Sequence, residues 1–379
     1  MSSTRKTMFE LEAIPQMDLA AQYTAIGGEV RDAVIKVMAS QRFVLGSEGA
    51  ALESEIAELC GVKHGVGVAS GTDALILALR AAGVEAGDEV ILPPFTFVAT
   101  GSAVSALGAT PVFADIQPDT FNIDADEIDK HITPRTRAIL VVHLYGLAAN
   151  MDAICETAKR HAIPIVEDNA QAIGATYKGK PTGALGDVAC ISFYPTKNLG
   201  AYGDAGMIVT NSAEMDARLR TLRNHGQASR YTSLEPGWNS RLDEIQAAIL
   251  RVKLGYLREW ERARRSHAAL YAKLLEPVKA VRTPHIPAGY EHVFHQYTIR
   301  VPRRDELQKF LNERKIGNAV YYPVPLHLQP IYAKLGHGRE AFPEAERAAN
   351  EVLSLPMFPE LREEQVQRVA EAIAEFCSA

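Results

Sequence analysis

Cysteine is scarce in this chain and widely scattered. Cys60, Cys155, Cys190 and Cys377 form no CxxC pair. That spacing argues against a zinc site or a disulfide framework and predicts buried free thiols. No apolar run reaches the ~18 residues that cross a bilayer. The polar opening MSSTRKTMFELEAIPQ has no apolar core of the signal-peptide kind, so a cytoplasmic location with no membrane partner is expected. Excess positive charge is also lacking: 40 Lys and Arg against 46 Asp and Glu leave a net charge of −6, which speaks against a nucleic-acid surface. Repeats and low-complexity tracts are absent. What is there is a globular composition, 47% hydrophobic and 23% charged, over 379 residues. That length supports two or three domains around a large core.

Short apolar runs alternate with helical patterns along the first two thirds. The runs are GVGVAS (65–70), EVILPP (89–94), ATPVFADI (109–116), RAILVVHLY (137–145), IPIVEDNA (163–170), DVACISFYP (187–195) and AGMIVTN (205–211). Between some of them lie segments with helical spacing, such as DALILALRAAG and MDAICETAKRHA. Near-continuous apolar strands alternating with helices predict an α/β fold: a mostly parallel central sheet covered on both faces. Residues 18–40 read as an amphipathic helix, and GAALESEIAELCG as a second one ending near Gly61. From about residue 240, RLDEIQAAILRVKLGYLREWERARRSHAALYAKLLE reads as one long charged surface helix. Strands such as HQYTIRV and helices such as EEQVQRVAEAIAEFC follow, as in a smaller α+β domain. The expected division is an N-terminal arm (1–17), a large domain (18–260) and a small C-terminal domain (261–379).

Two residues stand out chemically. Asp168 ends the apolar run IPIVED, and Lys197 follows the run DVACISFYP in a glycine-rich turn. Ligands of open α/β sheets bind beyond the carboxyl ends of the strands. An amine and a carboxylate so placed suit pyridoxal 5'-phosphate: the lysine can condense with its aldehyde, and the carboxylate can keep its ring nitrogen protonated. Gln171 follows Asp168 by three residues and can donate to the ring's 3-oxygen. Ser70-Gly71-Thr72-Asp73 joins a strand to a helix and offers free N–H groups and hydroxyls to a phosphate. It reads equally as a simple helix cap by Thr72 or Asp73. Ser192 is a second phosphate candidate. PPFTFVAT (93–100) puts two aromatics beyond a strand, where one can stack on a ring or both can be core. Asn239 and Arg241 precede a helix, and Arg241 can pair with a phosphate. Tyr321, Tyr322 and His327 share a proline-stiffened loop.

In order and spacing, ASGTDAL, PPFTFVAT, VVHLYG, VEDNAQAIGA, SFYPTKNLGAYGDAG, NHGQ and NSRLDEIQAAIL resemble the DegT/StrS-type sugar aminotransferases, which have the type I, aspartate aminotransferase fold. The resemblance runs over nearly the whole chain. It implies that Lys197 carries the cofactor and moves the proton, and that Asp168 partners the pyridine nitrogen. Gln171 then lies near the 3-oxygen, and Phe97 stacks on the ring. Gly71, Thr72 and Ser192 cradle the phosphate. Asn239, assisted by Arg241, reaches the phosphate of a second subunit, so the active sites of a homodimer are shared. Tyr321 and His327 line a nucleotide-sugar pocket. The implied reaction moves an amino group from an amino acid, L-glutamate above all, to a nucleotide-linked keto sugar. The product is an amino sugar for glycans or natural products. GDAG at 203–206, where many relatives have GEGG, points to 3-keto rather than 4-keto sugars linked to dTDP or UDP. Phe358 replaces a histidine of some relatives and also bears on substrate choice. Sugar dehydratases of similar overall sequence carry histidine at the lysine position, so Lys197 sets this chain apart from them. The alternatives are a 4-keto sugar aminotransferase, a different pyridoxal phosphate reaction on a sugar, or a non-catalytic regulator on the same fold.

Overall fold

The structure is a computed structural model that describes residues 12–378. Residues 1–11 of the expected arm, and Ala379, lie outside it. All seven apolar runs are strands of one sheet: β1 (His64–Val68), β2 (Glu89–Leu92), β3 (Thr110–Phe113), β4 (Thr136–Val142), β5 (Ile165–Asp168), β6 (Val188–Ser192) and β7 (Gly206–Thr210). Their order across the sheet is β1-β7-β6-β5-β4-β2-β3. Only β7 runs against its neighbours β1 and β6; the other pairings are parallel. The short link between β6 and β7 contains no helix, which suits an antiparallel return. Strands with nearly every residue buried need cover on both faces. Val66, Leu77, Leu92, Leu140 and Ile208 fill one core, and Ile56, Ile191, Met207, Leu250 and Leu257 fill another.

Helix α1 spans Leu19–Ser40 and α2 spans Ser47–Leu59, with Gly61 just beyond in the left-handed region. Helices α3 (Gly71–Ala81), α4 (Val98–Ala106), α5 (Met151–His161) and α6 (Ala213–Leu222) connect or flank the strands. The single long helix expected after residue 240 is two, α7 (Glu244–Leu254) and α8 (Leu257–Leu275), parted at Gly255 and Tyr256. Helix α7 is also no surface element. Ala247, Ala248, Ile249 and Leu250 are buried, and Glu244 accepts from the N–H groups of Gly46, Glu48 and Gly49 at 2.8–2.9 Å, capping α2 from outside its own sequence. None of the described helices is long and apolar enough to cross a membrane.

A separate core gathers Ile14 with Tyr271, Ile299, Leu311, Leu353, Val369 and Ile373. It holds an antiparallel strand pair, β8 (Tyr297–Arg300) with β9 (Val352–Leu355), and the helices α9 (Arg304–Glu313) and α11 (Glu363–Ser378), whereas α10 (Pro343–Glu351) buries Ala345, Ala348 and Ala349 in the first core. Leu326, Tyr332, Phe342 and Ala345 pack instead on the first core, so the 326–345 segment leans on the large sheet. Cys60 and Cys190 are buried free thiols, and Cys155 and Cys377 are partly buried ones.

Beneath the sheet's functional edge lies a buried polar anchor. Glu167 accepts from the N–H groups of Gly183 (2.8 Å), Leu185 (2.8 Å) and Gly186 (2.7 Å), and from His143 Nε2 (2.8 Å). His143 Nδ1 accepts from the Ala149 N–H at 3.1 Å, which places the ring's donor proton on Nε2. Burial works against the carboxylate, but His143 and the backbone donors outweigh it and hold its pKa below the usual range. An amide here would turn an NH2 group toward a backbone N–H. Glu167→Gln is therefore expected to cost about 3 kcal/mol, measured by denaturant unfolding; an unchanged midpoint would contradict this account of the anchor.

Candidate active site

Strand β1 runs with β6, so the carboxyl ends of β1, β2, β4, β5 and β6 meet the start of β7 along one edge. Asp168 is the last residue of β5. Alternation along the strand turns it to the face opposite Glu167. It is 6% exposed. Oδ2 accepts from the Thr100 hydroxyl at 2.8 Å, and Oδ1 from the Ala170 N–H at 3.2 Å. Thr96 stands 3.0 Å behind Thr100, hydroxyl to hydroxyl. Burial raises the Asp168 pKa from its ordinary value, against the pull of Thr100, the Ala170 N–H and the Lys197 charge. Two donors leave a carboxylate with lone pairs to spare. A cationic N–H donor fits that vacancy in its bonding, and a pyridinium is one.

Past Ser192 the chain closes into a tight turn. The Lys197 N–H donates to Tyr194 O (2.8 Å), the Ala201 N–H to Phe193 O (2.7 Å) and the Phe193 N–H to Ala205 O (2.9 Å). This turn carries the Lys197 side chain, half-buried, into the electrostatic reach of Asp168. Burial draws the amine down to about 8, and the Asp168 charge opposes the shift. An amine so lowered is a better nucleophile and proton carrier near neutral pH than an ordinary lysine.

The phosphate candidates converge as well. Gly71 opens α3, and Ser70, not Thr72 or Asp73, caps it by accepting from the Asp73 N–H at 3.1 Å. A Cβ on Gly71 would lie 2.5 Å from Ser192 Cβ and 2.8 Å from its hydroxyl oxygen; one on Gly206 would lie 2.3 Å from Ser70 O. Only glycine lets the three strand ends come this close. The helix N-terminus, the exposed Thr72 and the Ser192 hydroxyl make a cradle suited to an anion. Ser240 ties the next candidates to it: its hydroxyl donates to Asp73 Oδ2 (2.7 Å) and accepts from the Ala69 N–H (3.2 Å). Asn239 is exposed, and Arg241 Nη1 donates to Asn224 Oδ1 at 3.1 Å.

Of the two PPFTFVAT aromatics, Phe95 is core at 0% exposure, whereas Phe97 is 54% exposed at the start of α4. Gln171 accepts from the Tyr145 N–H (2.8 Å) and donates from Nε2 to the Tyr322 hydroxyl (3.0 Å). The Tyr322 ring lies 6.0 Å from that of Phe97, and Tyr145 donates its hydroxyl to Tyr321 O. His327 does not join them. It is 1% exposed, bonded through Nε2 to Glu346 at 3.1 Å and set against Phe342 at 4.8 Å. Its Nε2 is taken by Glu346, whereas its buried Nδ1 has no hydrogen-bond partner.

The family model of the DegT/DnrJ/EryC1/StrS aminotransferases matches residues 24–374. The chain belongs to that family. A pleiotropic regulatory protein of Geobacillus stearothermophilus is 53% identical to this aminotransferase, over 96% of this chain and 98% of its own. A UDP-N-acetyl-3-dehydro-α-D-glucosamine 3-aminotransferase of Acidithiobacillus ferrooxidans is 48% identical, over 97% and 98%. The crystal structure of S. venezuelae DesV in complex with a ketimine intermediate superposes with a TM-score of 0.95 at 46% identity, covering 97% of this chain and 99% of DesV. Aminotransferases of this family depend on pyridoxal phosphate.

Two departures noted in the sequence separate on the structure of this aminotransferase. Asp204 of GDAG is exposed on the lysine turn. Phe358 is 3% exposed in the second core, so it packs rather than meets a ligand. Thr100 was not singled out from the sequence as a site residue. Thr96 and Thr100, four apart at a helix start, were the available signal for a hydroxyl pair on one face. The amine of Lys197 in the apoprotein is expected to react with an amine-selective acylating reagent with a midpoint near pH 8, the rate rising to it and levelling above. Asp168→Asn removes the charge that favours the ammonium, so its midpoint falls below that of the wild type. A midpoint that stays put or rises in the variant, read by mass spectrometry of the labelled peptide, would contradict the coupling.

Proposed function

We propose that this chain transfers an amino group from an amino acid, L-glutamate first, to a nucleotide-linked 3-keto sugar, using pyridoxal 5'-phosphate. The observation that carries this is the pairing of a buried, under-bonded Asp168 with a Lys197 amine lowered by burial, beside a helix N-terminus closely packed on Ser192. When bound, the cofactor supplies an electron sink for the bond to be broken. The chain supplies the rest. Asp168 holds a proton on the ring nitrogen through its free lone pairs. Gly71, Thr72 and Ser192 bind the phosphate, and Phe97 presents its open face to the ring. Gln171, fixed by Tyr145 and Tyr322, faces the 3-oxygen. Lys197 would hold the cofactor's aldehyde through Nζ, and as a free amine it would accept and return the proton at that same atom. That single relay explains why no second acid–base pair is needed.

Asn239 is open to solvent and Arg241 lies beside it, which supports a homodimer in which they reach the partner's phosphate. Tyr321 belongs to the sugar side. The 3-keto position has support from the 3-dehydro sugar named for the 48% identical relative. A cytoplasmic homodimer completes the reading. The regulatory name of the 53% identical relative favours a second reading, a regulator on this fold, against which Lys197 and the glycine cradle stand intact.

A panel of UDP- and dTDP-linked 3-keto and 4-keto sugars, scored for 2-oxoglutarate release from glutamate, tests the reaction, with NMR of the product fixing the amino position. Turnover on a 3-keto member is expected; turnover on 4-keto sugars alone, or on none, would overturn the substrate. Lys197→Ala is expected to keep pyridoxal phosphate non-covalently and lose turnover by at least about a thousandfold. Wild-type turnover in that variant would end the proposed role of Lys197.

A further inference from the structure

Lys253 is 1% exposed, in the last turn of α7. An ammonium buried so deeply is costly unless its protons are bonded. Among the described residues no carboxylate forms an ion pair with it. Glu360 supports its charge from a distance, and the Glu360 Oε2 atom has no hydrogen-bond partner. Lys253 Nζ donates instead to the Gly200 carbonyl, and it lies 5.1 Å from the Tyr202 ring centre and 6.0 Å from that of Trp260. Two helical turns earlier on the same face, Gln246 Oε1 accepts from the Tyr202 N–H at 2.9 Å and Nε2 donates to Tyr202 O at 3.2 Å. Helix α7 thus grips residues 200 and 202 at two points. Gly200 itself is wedged where a Cβ would come 2.3 Å from Pro195 O, across the turn that bears Lys197.

We infer that Lys253 is a positioning residue for Lys197: by bonding the Gly200 carbonyl it fixes the turn that holds the reactive amine toward Asp168. An apolar side chain of similar length would fill the same space and leave that carbonyl unpaired. Burial lowers the Lys253 pKa to about 8, and the amine can donate to the Gly200 carbonyl in either protonation state. This inference rests on the role given above to Lys197.

The test compares Lys253→Met with Lys253→Gln, which can still donate. In the apoprotein, Lys253→Met is expected to speed amide exchange in peptide 198–204 roughly tenfold while peptides of β5 and α3 stay unchanged. Its affinity for pyridoxal phosphate should fall about tenfold, and that for pyridoxamine phosphate, which has no aldehyde to attach, less than about threefold. Lys253→Gln should lie between Lys253→Met and the wild type. Wild-type exchange and affinities in Lys253→Met would overturn the inference. So would a loosening spread evenly over the protein and shared by Lys253→Gln, the mark of a merely structural lysine. If Lys253→Met does not fold, Gln246→Ala must show the same local rise in exchange, and its absence would overturn the inference equally. Failure of the underlying reading looks different: the wild type itself would then gain no affinity from the aldehyde over the amine form of the cofactor.

Discussion

A carboxylate buried with too few donors is the constraint around which this molecule is arranged. Asp168 has a hydroxyl on one oxygen and a backbone N–H on the other, and burial raises its pKa. Its neighbour Glu167 is equally buried but has four donors, and its pKa is held down. Desolvation acts on both; hydrogen bonding decides which stays settled. One strand therefore puts a satisfied acid on one face and an acid wanting a cationic partner on the other. The first stiffens the strand end, and the second gives that end its chemistry.

The reactive amine depends on the same edge. Lys197 is delivered by a turn whose closure needs three strand ends at van der Waals contact, which glycine at 71 and 206 permits. The turn is held from behind by α7, whose first residue, Glu244, also caps α2. The cradle and the amine are thereby fixed by one set of contacts. A phosphate bound at Gly71 and an aldehyde at Lys197 would be anchored on elements that do not move independently, the arrangement that favours orientation over flexibility in catalysis.

Much of this was legible in the sequence because burial writes itself as composition. Seven strands buried on both faces had to read as unbroken apolar runs, and the residues that end them, Asp168 and Ser192 among them, stood out by being polar. The antiparallel sense of β7 has no such mark in its own residues; it shows only in the absence of a helix between 193 and 205. Gly255 did not advertise a helix break, since it sits in ordinary helical conformation and the break comes from local bonding of Gly255 and Tyr256 to residues three back. Thr100 was hidden because a hydroxyl that serves a partner 68 residues away looks like any helix threonine. The burial of His327 was hidden in the same way: a histidine in an aromatic loop suggests a pocket, and its bond to Glu346 shows only in the packing.

Everything rests on the claim that one ring is gripped at opposite ends by the amine at 197 and the acid at 168. The most direct measurement is reduction of the pyridoxal phosphate-loaded protein with borohydride, followed by mass-spectrometric mapping of the modified peptide. The account predicts a single reduced adduct on Lys197, in the peptide containing SFYPTKNLG. An adduct on any other lysine, or none with cofactor in excess, would contradict it.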